Sequence, residues 1–141
     1  MVGRSRRYAL ADTVQQLVGG FLLAGPFVVT EEVWVLAANM RPIHVAATSA
    51  IVFGIGYAAL YKADAGRDPD RELEVGGVPV RFISLMAVSY GSVLLLAVAF
   101  SAPATFLGEL SGLERAVTTV KAASVGAVFS VIGAATADSI Y

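Results

Sequence analysis

Four long runs of apolar residues dominate the chain, and shorter polar segments separate them. Each run is close to the roughly 20 residues that an α-helix needs to cross about 30 Å of hydrocarbon. The runs predict membrane spans at residues 17–39, 43–61, 82–102 and 115–137. We therefore expect an all-α, polytopic membrane protein, in which residues 1–141 form a single bundle of four transmembrane helices.

The longest polar segment, "KADAGRDPDRELEVGGVPVR", covers residues 62–81 and predicts a loop, because it combines glycine, proline and many charges. With four spans, this loop and both termini lie on one side of the membrane. That side holds seven of the ten Lys and Arg residues: Arg4, Arg6, Arg7, Lys62, Arg67, Arg71 and Arg81. Since positively charged loops stay in the cytoplasm, we expect both termini and residues 62–81 to be cytoplasmic, in a multi-pass protein of the cell membrane.

The composition supports lipid as the surrounding solvent. Hydrophobic residues make up 57% of the chain and charged residues 15%, whereas a soluble domain carries about 25% charge. A net charge of −1 argues against a nucleic-acid partner. Without cysteine, the chain has no disulfide framework and no sulfur-ligated metal. We expect neither a metal nor a cofactor.

The first apolar run contains two adjacent carboxylates, Glu31 and Glu32. Counting inward from Arg41 along a straight helix, they lie about 13 Å deep, near the middle of the membrane. Charge at that depth is costly, so a cation, a proton or a water-filled cavity must compensate it. Pro26 removes one backbone donor and leaves the carbonyl of Leu22 without its helical partner, which predicts a kink of the first span at Pro26.

Carboxylates beside a broken helix near the midplane are typical of transport sites. This pattern favours a channel or transporter that conducts cations or protons. Glu31 and Glu32 would bind the ion, and Asn39 and Thr30 would assist them as neutral ligands. Pro26 would supply the break.

Lys121 supports an alternative interpretation. It lies about 9 Å inside the fourth span, counted from Arg115, and therefore near the predicted level of the glutamates. A pair between Lys121 and one glutamate would be structural. The protein would then be a non-transporting membrane scaffold or an accessory subunit.

His44 begins the second span at its outer end, where its protonation near neutral pH would gate a pathway. The alternative is an ordinary polar residue at the membrane interface. A nucleophile pair of Ser49 and His44 lacks a flanking signature and an orienting acid. We therefore expect no catalytic residues and no enzyme activity.

Small residues recur every four positions along the last span, in "KAASVGAVFSVIGAATAD". The steps join Ala122, Gly126, Ser130 and Ala134, and such spacing lets two helix backbones approach closely. The partner is either another helix of the same bundle or a second subunit. Four short spans enclose little interior, which favours an oligomer.

The stretch "TEEVWVLAANMRPIH", residues 30–44, resembles a family of prokaryotic integral membrane proteins recorded as a domain of unknown function. The matching positions are Thr30, Glu31, Glu32, Ala37, Ala38, Met40, Pro42 and His44. The closing "SVGAVFSVIGAATADS" is also similar to the last helix of that family. The resemblance implies a membrane protein and brings no activity. Longer members carry two related units, so it also implies that this single unit forms a homodimer with parallel subunits.

Overall fold

The computed structural model describes residues 10–62 and 74–140, and it describes side chains as far as residue 138. It contains six α-helices in this part of the chain. They are α1 (Leu10–Val28), α2 (Glu31–Ala38), α3 (Pro42–Tyr57), α4 (Val80–Ala99), α5 (Ala102–Phe106) and α6 (Gly112–Ile140). A π-helical turn, Ala58–Lys62, extends α3. Two short antiparallel strands, β1 (Glu74–Val75) and β2 (Val78–Pro79), form a hairpin before α4.

Three helical segments are long and apolar enough to cross a membrane: Pro42–Tyr61, Val80–Ala99 and Gly112–Asp138. The pair of α1 and α2 adds a fourth candidate if the two helices, which are bent by 80° relative to each other, are counted as one span. The predicted all-α membrane bundle is therefore confirmed. Its orientation across the membrane stays a prediction, and five of the basic residues behind it lie outside the described residues: Arg4, Arg6, Arg7, Arg67 and Arg71.

Several helix bounds differ from the predicted spans. α1 already includes Leu10, the first described residue, and therefore starts well before residue 17; its polar Gln16 is fully buried inside the bundle. α4 already includes Arg81, which the sequence analysis assigned to the loop. The predicted third span reached residue 102, but α4 ends at Ala99, and Ser101 then adopts a left-handed backbone conformation with φ of 58°.

The first span is broken as predicted, but at a different residue. Pro26 lies inside α1, which continues to Val28. The break falls on the next two residues, and Thr30 is extended, with φ of −106° and ψ of 131°. At the break, the indole Nε1 of Trp34 donates a hydrogen bond of 3.0 Å to the carbonyl of Val28. This bond satisfies a carbonyl that the end of α1 leaves without a helical partner.

The break affects how the depth of the two glutamates is counted. The 19 residues of α1 are about 28 Å long, close to the thickness of the hydrocarbon. α1 therefore crosses most of the membrane by itself, and the bend of 80° turns α2 towards the membrane plane. Glu31 and Glu32 are in the first turn of α2, after this bend. The expected midplane depth was counted along one continuous span, and the structure instead divides this span into two helices; the depth of the glutamates stays a prediction.

α6 lies at the centre of the bundle and packs against α1, α2, α3 and α4. It approaches α1 most closely where Gly19 faces Gly133. A Cβ on Gly19 would overlap the carbonyl oxygen of Gly133 and lie 2.7 Å from the Cβ of Ala137. Both glycines are therefore required by the contact between the two backbones.

The small-residue stripe of α6 packs inside the chain. Ala122, Ser130 and Ala134 are at most 2% exposed, and a Cβ on Gly126 would lie 2.9 Å from a methyl group of Val93. Of the two alternatives for this stripe, the structure shows packing within one bundle. The homodimer stays a prediction, and this stripe is not available as its interface because it is buried within one chain.

Candidate functional site

The most deeply buried charges of the described residues lie where α1, α4 and α6 meet. Arg81 in the first turn of α4 is 2% exposed, and the side chain of Asp138 near the end of α6 is fully buried. Arg81 Nη1 donates to Asp138 Oδ1 at 2.7 Å. Its Nη2 donates to Asp12 Oδ2 of α1 at 3.2 Å, and the side chain of Asp12 is 20% exposed. One guanidinium thus joins two carboxylates on two other helices.

Neutral polar groups complete this arrangement. The buried Gln16 donates through Nε2 to Asp138 Oδ2 at 3.1 Å. Ser84 Oγ in turn donates to Gln16 Oε1 at 2.7 Å. Both oxygens of Asp138 therefore accept hydrogen bonds. We call this group the inner polar cluster, and its members are Asp12, Thr13, Gln16, Arg81, Ser84 and Asp138.

Helix geometry explains how the cluster forms. Asp12 and Gln16 are four residues apart on α1, and Arg81 and Ser84 are three residues apart on α4, so each pair shares one helix face. Burying ions costs several kcal/mol each unless the partner geometry is good and further hydrogen bonds are made. Arg81 provides the close partner, through a charge-assisted hydrogen bond to Asp138. The side-chain amide of Gln16 provides the further hydrogen bond. The cluster can hold an ionised carboxylate inside the bundle.

A second layer of buried polar groups lies between the same three helices. Ser92 Oγ of α4 and Ser130 Oγ of α6 are 2.8 Å apart, and Ser130 Oγ donates to the carbonyl of Gly20 at 3.2 Å. Gly20 is four residues from Gln16 and lies on the same face of α1. A Cβ there would lie 3.0 Å from Ser130 Oγ and 3.1 Å from Ser92 Oγ, so only glycine leaves the two hydroxyls their space.

The predicted ion-binding residues lie at the two ends of α2: Thr30 precedes the helix, Glu31 and Glu32 begin it, and Asn39 follows its last residue. Glu31 and Glu32 are exposed, at a helix N-terminus whose dipole favours negative charge. Thr30 Oγ1 donates a hydrogen bond to Glu32 Oε2. Asn39 shares an open recess of about 310 Å³ with them, while its Nδ2 donates to the carbonyl of Val35 at 3.0 Å. The recess is lined by Glu31, Glu32, Val35, Leu36 and Asn39.

Glu31 also lines a second recess, of about 460 Å³, formed with residues 105–110. That segment follows α4 and includes Glu109. Because Glu31 is level with a connection between two spans, this recess agrees with a position near the outer boundary. Among the described residues, no three acidic or histidine side chains come together as a metal site.

Lys121 does not pair with the glutamates. Its Nζ donates to the carbonyl of Met40 at 2.6 Å, and neither glutamate forms an ion pair with the side chains of residues 10–61 and 74–138. The ammonium instead lies at the end of α2, where the helix dipole favours positive charge. His44 also has a local partner, because its Nδ1 accepts the backbone N–H of Arg41 at 3.0 Å and caps the start of α3.

The inner polar cluster was missed in the sequence analysis. Arg81 was counted only as a basic loop residue, and Asp12 and Asp138 were not singled out. The sequence did contain a signal for it. Asp12, Arg81 and Asp138 carry opposite charges and stand at the ends of three spans that are predicted to lie on the same side of the membrane. The pairing itself joins residues as far as 122 positions apart, Gln16 and Asp138.

The apolar helices and the buried charges that join them define a polytopic helical membrane protein. The family described as "Putative integral membrane protein (DUF2391)" matches residues 3–140. The chain belongs to this family, whose function is unknown, and the resemblance noted for residues 30–44 is thereby confirmed. Comparison with curated proteins and with solved structures gives no match.

Proposed function

We propose that this protein conducts protons or small cations across the cell membrane, and that Asp138 is the carboxylate on which the pathway depends. One observation carries the proposal: a fully buried carboxylate is held by Arg81 and Gln16 between three membrane helices. Ionisable residues inside membrane bundles typically mark proton relays and ion pathways.

The shared guanidinium suggests how such a site works. With Asp138 ionised, Arg81 holds it at 2.7 Å and Asp12 at 3.2 Å. A proton that binds an oxygen of Asp138 removes the negative charge, so the attraction of Arg81 shifts towards Asp12. Loss of the proton restores the shorter contact, which is the one between Arg81 and Asp138. The two arrangements differ in how strongly α4 is joined to α1 and to α6, which couples protonation to helix packing.

Glu31 and Glu32 have a different role in this proposal from the one expected at midplane depth. Exposed carboxylates at the outer boundary raise the local concentration of cations. Thr30 orients Glu32 through its hydroxyl, and Asn39 lines the same recess. The acidic recess would then be the outer entrance, and the inner polar cluster the site near the cytoplasmic end.

A second candidate function is a non-transporting membrane module that stabilises or assembles with another membrane protein. The observation in its favour is that Arg81 contacts α1 and α6 at once, as a structural clamp would. The carboxylates would then be structural ion pairs, with Arg81 in the place expected for Lys121.

The two candidates differ in the effect of Asp138→Asn. The purified protein is reconstituted into liposomes, and flux is followed with a pH-sensitive dye and with a panel of monovalent cations. We expect flux in the wild type and at least a tenfold loss in Asp138→Asn, compared per folded, reconstituted protein, because this variant also lowers the melting temperature by removing a partner of the buried Arg81. Glu114→Gln, which neutralises an exposed acid in the first turn of α6, serves as the matched control and retains wild-type flux.

Glu31→Gln/Glu32→Gln tests the entrance separately. We expect a several-fold lower flux at low cation concentration and a smaller difference at high concentration, because these residues concentrate the ion. Absence of flux for every ion in the wild type would support the structural module instead.

A further inference from the structure

An apolar groove runs between the first turns of α3 and the outer part of α6. Its volume is about 430 Å³, and it is open along one side. Five of its six lining residues are apolar: Pro42, Val45, Ala116, Val117 and Val120. The sixth is Lys121. An apolar groove of this kind is poorly suited to ordered water, which needs two or more polar partners.

Two cationic residues are associated with this groove: Lys121 lines it, and Arg41 adjoins one of its lining residues in the sequence. Lys121 Nζ reaches the carbonyl of Met40, two residues before Pro42. That carbonyl takes one of the three N–H donors of the ammonium. Arg41, which is exposed, directly precedes Pro42 at the start of α3. The groove therefore combines an apolar surface with one lining cation and a second cation adjacent in the sequence.

The position of the groove matches one leaflet of a bilayer. α3 begins at Pro42 and is a candidate membrane span, so its first turns lie where acyl chains meet headgroups. In such a location, lysine side chains extend along apolar surface and place their charge at the interface. A net negative headgroup complements two cations better than a zwitterionic one does.

We propose that this groove binds one anionic phospholipid, with an acyl chain along Val117 and Val120 and the phosphate at Lys121 and Arg41. The site is independent of the proposed ion pathway, since none of its residues belongs to the inner polar cluster. It assigns Lys121 a ligand-binding role in addition to its contact with Met40.

Native mass spectrometry of the delipidated full chain tests the proposal, with phosphatidylglycerol and phosphatidylcholine of identical acyl chains as probes. We expect the wild type to bind one phosphatidylglycerol at least fivefold more tightly than phosphatidylcholine. Lys121→Met should reduce this preference to less than twofold, and Lys121→Arg should restore most of it. Val120→Trp, at a position 53% exposed, should weaken binding of both lipids by filling the groove.

Arg115→Met is the matched control. Arg115 lies on the same outer part of α6 but does not line the groove, and its guanidinium donates to the carbonyl of Gly108. This variant should keep the wild-type preference. The proposal is overturned if the wild type shows no preference for the anionic lipid, if Lys121→Met keeps it, or if Val120→Trp binds both lipids like the wild type.

Discussion

Replacing Arg81 by methionine removes the guanidinium that joins α4 to both α1 and α6 in the inner polar cluster, while an unbranched side chain of similar length keeps most of the packing. The carboxylate of Asp138 is then left in a fully buried position without its guanidinium. Breaking a buried ion pair by removing one partner costs about 3–5 kcal/mol. The contact with Asp12 adds little, because that side chain is 20% exposed and more than 3 Å away.

We therefore expect Arg81→Met to lower the free energy of unfolding by about 3–5 kcal/mol, a large part of the 5–15 kcal/mol of a typical domain. Unfolding is measured in mixed micelles titrated with a denaturing detergent. The fluorescence of Trp34, the only tryptophan of the chain, follows the transition. Arg41→Met, at an exposed position, should change stability by no more than about 0.5 kcal/mol.

A double-mutant cycle makes this prediction specific to the pair. Asp138→Leu combined with Arg81→Met removes both charges, so the double variant should be more stable than the sum of the single losses predicts, by about 1–3 kcal/mol. If Arg81→Met lies within about 1 kcal/mol of the wild type, or if the two losses simply add, the buried pair does not hold these helices together.

Two further predictions concern helix contacts. Gly19→Ala should destabilise by about 1–3 kcal/mol or more in the same assay, because a Cβ would overlap the backbone of Gly133. Gly25→Ala, on the same helix with nothing within 4 Å of its Cβ, is the control, and equal stability of the two variants would contradict the close backbone contact. Trp34→Phe should cost about 1–3 kcal/mol by leaving the carbonyl of Val28 without its donor. Its unfolding is followed by circular dichroism, and wild-type stability would show that another group satisfies this carbonyl.

The candidate site shows where reasoning from sequence ends. Glu31 and Glu32 were recognised as charges within an apolar run, but their depth was calculated along a straight helix. The bend at Val29 and Thr30 depends on contacts that a local pattern does not contain. Trp34 bonds to the end of α1 and stacks on Phe106 at a centroid distance of 6.0 Å, which holds α2 across the bundle.

The sequence by itself determined that this chain forms apolar helices in a membrane, because lipid requires each span to satisfy its own backbone hydrogen bonds over a set length. It also determined the family, through the short stretch that begins at Thr30. Only the tertiary structure decided which charges are buried, because Arg81, Asp12 and Asp138 meet through helices that are distant along the chain. It likewise decided that the glutamates reach the surface, since an 80° bend is a property of packing between helices and not of any one of them.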